Sequence, residues 1–189
     1  MQIINAFNCI YRALVTFAAM TEPCLALSLN VTAISAQNGA SVLECWQMNT
    51  PFVVSTEAGT AGSASAVLGN VTGLTYTVLP AGFDGGLHVA PKNQWVAFIK
   101  GIAVVTIPGD DSPNGTATIT GGGFGLIFAA DTKNVSKIGH ITRYPGITET
   151  VGLAIPTEDG EIPMHKVLHR GPCSAYEVTG QLGLATGRG

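Results

Sequence analysis

Short segments rich in β-branched and aromatic residues recur along the chain, separated about every ten residues by turn-forming Gly, Pro, Asn and Asp. No long stretch with a helical period lies between them. Such spacing predicts an all-β domain folded as an antiparallel sandwich or closed barrel. A helical turn is expected only over 131–138. The predicted strands are Val42–Gln47, Pro51–Ser55, Ala64–Leu68, Leu74–Leu79, Gly86–Ala90, Trp95–Ile99, Ile102–Ile107, Thr116–Thr120, Gly125–Ala129 and Val151–Ile155, with Lys166–Leu168 and Ala175–Val178 as two further candidates.

The N-terminal residues 1–26 have the features of a secretory signal peptide. One basic residue, Arg12, precedes the apolar run 13–20, and small residues follow near Ala26. The run is too short to span a bilayer, and a buried N-terminal helix is the alternative. The remaining organisation is predicted as an extended leader or a strand with a loop over 27–40, a β domain over 41–180, and a flexible tail over 181–189.

Sequons and cysteines agree with export from the cell. Four N-x-Ser/Thr sites, all expected in turns or loops, are candidate glycosylation sites: Asn30, Asn70, Asn114 and Asn134. Cleavage near Ala26 would leave two cysteines, Cys45 and Cys173. An even pair in a secreted chain predicts one disulfide between the ends of the domain, and two buried free thiols are the alternative. A secreted location is therefore predicted.

The charge distribution argues against a nucleic-acid partner. Charged residues make up 11% of the 189-residue chain, the formal net charge is -3, and Lys and Arg are scattered singly. No basic stripe is present that could follow a phosphate backbone. We expect a small-molecule ligand and neither nucleic acid nor a membrane as partner.

The most informative motif lies between Gly82 and Gly101 and contains His88 and Gln94 on two successive predicted strands. Residues two apart on a strand share a face, so polar side chains on paired strands converge on one point inside a barrel. Trp95 follows Gln94 directly and is predicted to face the opposite side of its strand. The motif predicts an internal ligand site.

These residues resemble the first motif of the cupin superfamily, which places two histidines and a glutamate on adjoining strands of a small jelly-roll barrel. By this resemblance His88 occupies the first ligand position, Ala90 stands where the second histidine is expected, and Gln94 stands at the acid position. The segment Gly123–Asp131 with Gly139 and His140 is similar to the second motif. The chain over 41–180 also looks like small secreted cupin-like proteins of filamentous fungi, and a homodimer is an expectation from the resemblance alone.

The departures from the cupin pattern change the expected chemistry. Alanine in place of histidine removes a metal ligand, and glutamine in place of glutamate removes a negative charge, so no tightly bound metal or other cofactor is expected. If a divalent transition metal is present, its ligands are predicted to be His88, Gln94 and His140. Without a metal, the same three residues are the candidate catalytic residues, with His88 exchanging a proton near neutral pH. A structural histidine bonded to the backbone is the alternative for His88.

Other titratable residues carry weaker signals. His165 and His169 are too far apart on a strand to share one ion and are interpreted as structural or pocket-edge residues. Asp84 and Glu149 are the acids expected nearest a pocket, with surface placement as the default.

Three functions fit these observations. One is an enzyme of fungal secondary metabolism that cyclises, isomerises or moves a proton on a small organic molecule. Another is a secreted protein without catalytic activity that binds small molecules or glycans or belongs to the cell wall. The third is a metal-dependent cupin oxidoreductase.

Overall fold

A computed structural model describes residues 27–182 of the chain. Thirteen strands, one helix and two 3-10 turns (Pro113–Gly115 and Glu158–Gly160) form this part of the protein. The helix, α1, spans Ala175–Leu182. In chain order the strands are β1 Ser28–Gln37, β2 Ala40–Pro51, β3 Val53–Val54, β4 Ala64–Ser65, β5 Thr75–Leu79, β6 Phe83–His88, β7 Gln94–Lys100, β8 Ile102–Thr106, β9 Thr116–Thr120, β10 Leu126–Ala129, β11 His140–Tyr144, β12 Thr150–Pro156 and β13 His165–Arg170.

Two main sheets organise the domain. The larger sheet has seven strands in the order β13-β2-β1-β10-β7-β12-β5, and the smaller has four in the order β6-β11-β8-β9. Strands β3 and β4 form a separate two-stranded ribbon. All pairs are antiparallel except β1 with β10, which run parallel. The larger sheet is therefore mixed.

The first hairpin explains why residues 27–40 belong to the domain. Asn38 and Gly39 form its turn with positive φ angles of 52° and 80°, and a two-residue turn of this kind favours Asn-Gly. The turn aligns β1 with β2 along nearly its whole length, from Ser28 opposite Pro51 to Gln37 opposite Ala40. Of the two predictions for this segment, the strand with a loop is confirmed and the extended leader is wrong.

An apolar cluster lies between the two main sheets. Alternate side chains of the large sheet contribute Ile34, Leu43, Phe98 and Ile127, and the small sheet contributes Ala103, Val105, Ala117 and Ile119. Burial of these side chains is the main favourable term that holds the sheets face to face. These side chains face the same layer because side chains alternate along a β-strand, so that every second residue of each strand points to it.

A second apolar cluster covers the opposite face of the large sheet. Trp95 packs edge-on against Phe128 with ring centroids 4.9 Å apart, and Trp46 lies 5.7 Å from Phe128 on the other side. The Trp95 indole N–H donates to the carbonyl of Leu68. The predicted orientation of Trp95, away from Gln94, is confirmed.

A disulfide bond joins Cys45 of β2 to Cys173, just before α1. Cys45 is completely buried. The predicted pairing is confirmed, and the alternative of two free thiols does not describe this structure.

The predicted β-rich class is confirmed, but the finer architecture differs from the expectation. No closed antiparallel barrel is found within 27–182, because the strands divide into separate sheets. The segment 131–138 contains the expected helical turn, in which the N–H groups of Val135 and Ser136 donate to the Thr132 carbonyl, but no longer helix. Strand β11 was not predicted. The predicted strand Ala175–Val178 is the start of α1, where Ser174 and Glu177 form a capping box that favours a helix.

Several predictions concern the ends of the chain. The signal peptide over 1–26 and residues 183–189 of the predicted tail lie outside the described residues, whereas residues 181 and 182 belong to α1. Within the described range, no helix combines the length and hydropathy needed to cross a bilayer.

The four sequons differ in their surroundings. Asn70, Asn114 and Asn134 are exposed and lie outside strands, as predicted. Asn30 lies within β1 and is 8% exposed, and its side-chain amide donates to the Glu177 carbonyl. The predicted loop location of Asn30 is therefore wrong, and a glycan on its amide nitrogen would disrupt the contact with Glu177 of α1.

We expect Gly101→Ala to destabilise the fold more than Gly39→Ala. Both glycines have positive φ, 87° and 80°, where an L side chain adds strain of about 1–2 kcal/mol. A Cβ at Gly39 meets open space, but one at Gly101 would lie 2.7 Å from Thr150 Cα. This overlap adds about 1–3 kcal/mol for the Gly101 variant. Urea unfolding measures both variants, and equal losses would contradict the close approach of the β7–β8 turn to β12.

Candidate functional site

A cavity of about 180 Å³ lies between the two main sheets. Most of its wall is apolar, formed by Ile34, Leu79, Val96, Phe98, Val105, Ile127, Ala129 and Ala154. Its polar wall residues are Thr77, His88, Gln94, His140, Thr142 and Tyr144. The three residues singled out from the sequence, His88, Gln94 and His140, thus line one cavity. Their chemical roles remain a prediction.

The pairing of β6 with β11 brings the two histidines together. His140 is the direct antiparallel partner of His88 in the register of these strands. The centroids of the two imidazole rings are 4.4 Å apart, with their planes inclined by 60°. Residues 52 positions apart in the sequence therefore form one pair of imidazoles because two strands align.

His140 is held by a buried carboxylate. Its Nδ1 lies 2.6 Å from Oδ2 of Asp131; His140 is 4% exposed and Asp131 is fully buried. Since a carboxylate accepts hydrogen bonds, Nδ1 carries the proton in this pair and Nε2 is the remaining ring nitrogen. Nε2 makes no hydrogen bond with any residue in 27–182. The arrangement fixes the orientation and the tautomer of the ring.

Asp131 has several hydrogen-bond donors, which compensates for its burial. The Ser41 hydroxyl donates to its Oδ2 at 2.6 Å, and the backbone N–H of Ala90 donates to its Oδ1 at 3.3 Å. Ser41 also shares a hydrogen bond of 2.8 Å with Ser136, whose hydroxyl accepts from the N–H of Gly139. The network anchors the carboxylate and connects it to the residue before His140.

His88 is the more solvent-exposed of the two histidines. Its Nδ1 lies 3.0 Å from the Gly86 carbonyl, so Nδ1 donates and Nε2 is left unprotonated in the neutral ring. Partial burial lowers the pKa of His88, and the nearby His140 lowers it further, against the opposing effects of Gly86 and Asp131. His88 is therefore neutral over a wider pH range than an ordinary histidine.

Gln94 lies at the start of β7, on the same face as Val96 and Phe98. Its side chain is buried, and its amide makes no hydrogen bond within the described residues. An amide provides both a donor and an acceptor. Gln94 is thus available to bind a polar group of a ligand.

Tyr144 adds a phenol to the cavity wall on β11. Burial raises the pKa of Tyr144, so its hydroxyl stays protonated at neutral pH and is able to donate a hydrogen bond. The sequence reasoning did not select this residue.

The remaining candidates lie elsewhere. Asp84 pairs with Arg143 and Glu149 with Lys100, all four at the surface, which is the default placement for such acids. His165 stacks on Trp46 with ring centroids 3.5 Å apart. His169 contacts Glu177. None of these residues lines the cavity.

Asp131, like Tyr144, is a residue of the site that sequence reasoning did not select. It follows the apolar segment 126–130 directly, and an acid at the end of a buried strand is a signal for a buried carboxylate. Its partner His140 lies nine residues later, beyond a loop, so only the folded chain shows that they meet.

The donor set of the cavity does not fit a tightly bound transition metal. His88 and His140 offer two imidazoles, Gln94 offers a neutral amide oxygen, and Ala90 offers no side-chain donor. Within 27–182 these histidines belong to no cluster of three or more His, Cys, Asp or Glu ligands. Asp131 is already bound to His140 and Ser41. Asp84, one of the two acids expected nearest a pocket, is paired at the surface with Arg143.

Comparison with known proteins leaves the family open. No protein-family model and no curated protein sequence matches the chain. A conserved protein of unknown function from Streptococcus pyogenes is similar in structure, with a TM-score of 0.31 and 20% sequence identity, covering 59% of this chain and 76% of that protein. A likeness this low carries no argument about function. The cupin resemblance stays a prediction.

We expect His88 to titrate below and His169 above the ordinary histidine pKa of about 6.5. A hydrogen bond to the Arg170 carbonyl and another to Glu177 raise the pKa of His169. As pH falls below the ordinary value, an unfolded chain takes up a proton at His88 sooner than the folded one, so His88 reduces stability there. NMR titration of the four histidines, assigned with His88→Gln and His169→Gln, measures both midpoints. A His88 midpoint at or above that of His169 would contradict the surroundings described for these two rings.

Proposed function

We propose that the protein catalyses proton transfer on a small, mainly apolar organic molecule in the cavity between the sheets. The observation that carries this proposal is the hydrogen bond of 2.6 Å between Asp131 and His140, a residue of the cavity wall. An imidazole oriented by a buried carboxylate is a well-suited general base. Isomerisation and cyclisation are the reactions in which such a transfer suffices.

His140 is the proposed base. Its Nε2 has no partner among the described residues, and its Nδ1 hydrogen bond keeps that nitrogen unprotonated in the neutral ring. When Nε2 takes a proton, the Asp131 carboxylate stabilises the positive charge that develops on the ring. Ser41 and the Ala90 N–H keep the carboxylate in place during this change.

His88 and Gln94 are proposed to bind the polar end of the substrate. The lowered pKa of His88 keeps its ring neutral at neutral pH, which avoids two adjacent positive charges when His140 is protonated. The Gln94 amide offers a donor to a carbonyl group of the substrate. Tyr144 offers a second donor from the β11 side.

The wall composition supports an apolar substrate body. Aliphatic side chains and Phe98 surround most of the cavity, and their contacts favour a molecule without charges. The cupin-like architecture and secretion remain part of this proposal. A disulfide agrees with an oxidising compartment.

A secreted binding protein without catalytic activity is the second candidate. The same apolar wall favours it, because such a cavity holds an apolar ligand whether or not a proton moves. Removal of the His140 imidazole distinguishes the two candidates. If the protein is a catalyst, this change abolishes turnover, and in either case most of the ligand binding is retained.

The test uses 5-nitrobenzisoxazole, a compact apolar compound that reports general bases in apolar pockets. A base removes the proton on its C3, the N–O bond breaks, and the coloured 2-cyano-4-nitrophenolate forms. We expect turnover above buffer, and a loss of about 100-fold or more in kcat for His140→Ala, the usual size of a general-base contribution. Asp131→Asn should also lower kcat, because the amide cannot stabilise the imidazolium.

His165→Ala is the matched control, since it removes an imidazole that stacks on Trp46 outside the cavity. It should retain the wild-type rate. Equal rates in wild type and His140→Ala would refute the role of His140 as base. Binding of the probe without turnover in the wild type would favour the second candidate.

We expect Ala154→Leu to raise KM for the same probe more than it lowers kcat. Ala154 lines the cavity on β12, away from the histidine pair on β6 and β11, so a larger side chain removes space without touching the base. Steady-state kinetics separate the two constants. An unchanged KM would show that the probe reacts outside this cavity.

A further inference from the structure

A second group of metal-binding side chains lies where β2, β13 and α1 meet, outside the cavity wall. Cys45 is on β2, His169 on β13 and Glu177 on α1, and one ligand atom from each lies within 4.8 Å of the other two. Cys173 is bonded to Cys45. Three potential ligands from separate elements of the fold therefore lie close together, and a fourth, Cys173, is covalently joined to one of them.

Hydrogen bonds already orient two of these ligands. The Nδ1 of His169 donates to the Arg170 carbonyl at 2.9 Å, which leaves Nε2 as the nitrogen that could bind a metal. Because a carboxylate only accepts, Nε2 donates to Glu177 in the metal-free protein, and a metal ion would replace this proton. That Nε2 is 2.8 Å from Oε1 of Glu177. Backbone bonds of this kind select the tautomer in histidines that bind metals.

The two carboxylate oxygens of Glu177 have different partners. Its Oε2 accepts from the N–H and the hydroxyl of Ser174 and so completes the capping box of α1. Its Oε1 faces His169. The capping box holds Glu177 in place and leaves Oε1 bonded, within 27–182, to His169 alone, so a cation that replaced the Nε2 proton would contact both side chains.

The oxidation state of the cysteines decides whether the cluster is a metal site. A disulfide offers no thiolate, and one imidazole with one carboxylate binds Zn²⁺ weakly. Reduction adds two thiolates and produces a ligand set of two sulfurs, one nitrogen and one oxygen, which suits tetrahedral Zn²⁺. Ligand atoms of such a site lie roughly 3–4 Å apart, given Zn–S of about 2.3 Å and Zn–N of about 2.0 Å.

We propose that reduction of the Cys45–Cys173 disulfide converts this cluster into a Zn²⁺ site with Cys45, Cys173, His169 and Glu177 as ligands. Cys173 is the half-buried and Cys45 the fully buried sulfur, so a dithiol reductant attacks Cys173. Cys45 leaves as a thiolate, and the second thiol of the reductant then displaces Cys173 and forms the oxidised cyclic disulfide. Zn²⁺ binding to the two cysteines releases any protons that their sulfurs carry.

The side chains are placed for a cation to enter. His169 is 44% exposed and Glu177 is 26% exposed, so both reach solvent while the sulfurs lie beneath them. Zn²⁺ would then link β2, β13 and the start of α1, whereas the disulfide of the oxidised protein connects only β2 with the segment before α1.

The experiment uses the full chain, reduced with dithiothreitol and desalted without oxygen. Co²⁺ serves as a spectroscopic probe, because thiolate ligands produce a charge-transfer band and tetrahedral geometry produces intense visible bands. We expect one Co²⁺ per reduced chain, displaced by one Zn²⁺, and neither band with the oxidised protein. Far-UV circular dichroism monitors the fold of each state.

Two variants test the assigned ligands. His169→Ala should weaken Zn²⁺ binding by about 100-fold, and Glu177→Gln by about tenfold, since glutamine keeps the capping box but loses the anionic ligand. His165→Ala, four residues away on β13, is the matched control and should bind Zn²⁺ as the wild type does. The double variant Cys45→Ser with Cys173→Ser should not bind.

Three results would overturn the proposal. They are equal Zn²⁺ affinity of the oxidised and reduced chains, equal affinity of His169→Ala and the wild type, and a reduced chain that stays unfolded after Zn²⁺ is added. A failure of the proton-transfer test leaves this proposal untouched, because none of the four ligands lines the cavity.

Discussion

The seven-stranded sheet is held in one piece by β1, which hydrogen-bonds to β2 on one side and to β10 on the other. Without β1, the pair β13-β2 would separate from β10, β7, β12 and β5. The parallel pairing with β10 places Thr32 opposite Ile127 and Ile34 opposite Ala129. That register aligns the inward-facing side chains of both halves of the sheet under the smaller sheet. The cavity and the group formed by Cys45, Cys173, His169 and Glu177 (the disulfide cluster) therefore depend on the same strand.

The packing of the two sheets also explains why polar groups lie in the interior. Asp131 follows β10, the strand beside β1, and its carboxylate is removed from water completely. Burial of an unpaired carboxylate is strongly unfavourable, so the donors from Ser41, Ala90 and His140 are a requirement of the fold. Breaking this network would leave a buried charge. The same arrangement that satisfies Asp131 fixes the His140 ring at the cavity wall.

The disulfide cluster shows how one feature serves both stability and chemistry. A crosslink between residues 128 positions apart restricts the unfolded chain and stabilises the native state by about 5 kcal/mol in the chain-entropy model. Close approach of the two cysteines also brings His169 and Glu177 together. The proposed Zn²⁺ site would restore a link between β2 and α1 when the covalent bond is lost.

The sequence predicted the β-rich class because strand propensity and turn residues act locally, and most predicted strands overlap observed ones. It also pointed to His88, Gln94 and His140, through the spacing of His88 and Gln94 and the resemblance of the later segment to the second motif. The expectation that His88 and Gln94 lie on paired strands was wrong, because β6 and β7 belong to different sheets that face each other across the cavity. The sequence reasoning also missed β11 and the role of Asp131. Those depend on partners distant in the chain, and no local pattern shows which strands will pair.

The sequence alone decided the alternation of side chains within each strand, including the opposite faces of Gln94 and Trp95. It also decided the Asn38-Gly39 hairpin turn and supplied Cys45 and Cys173 for a bond. These follow from φ preferences, the period of two and composition. Only the tertiary structure decided the division into two sheets, the parallel pairing of β1 with β10 and the meeting of His88 with His140 and Asp131. Long-range register arises from burying apolar faces against each other, and that free energy belongs to the assembled domain as a whole.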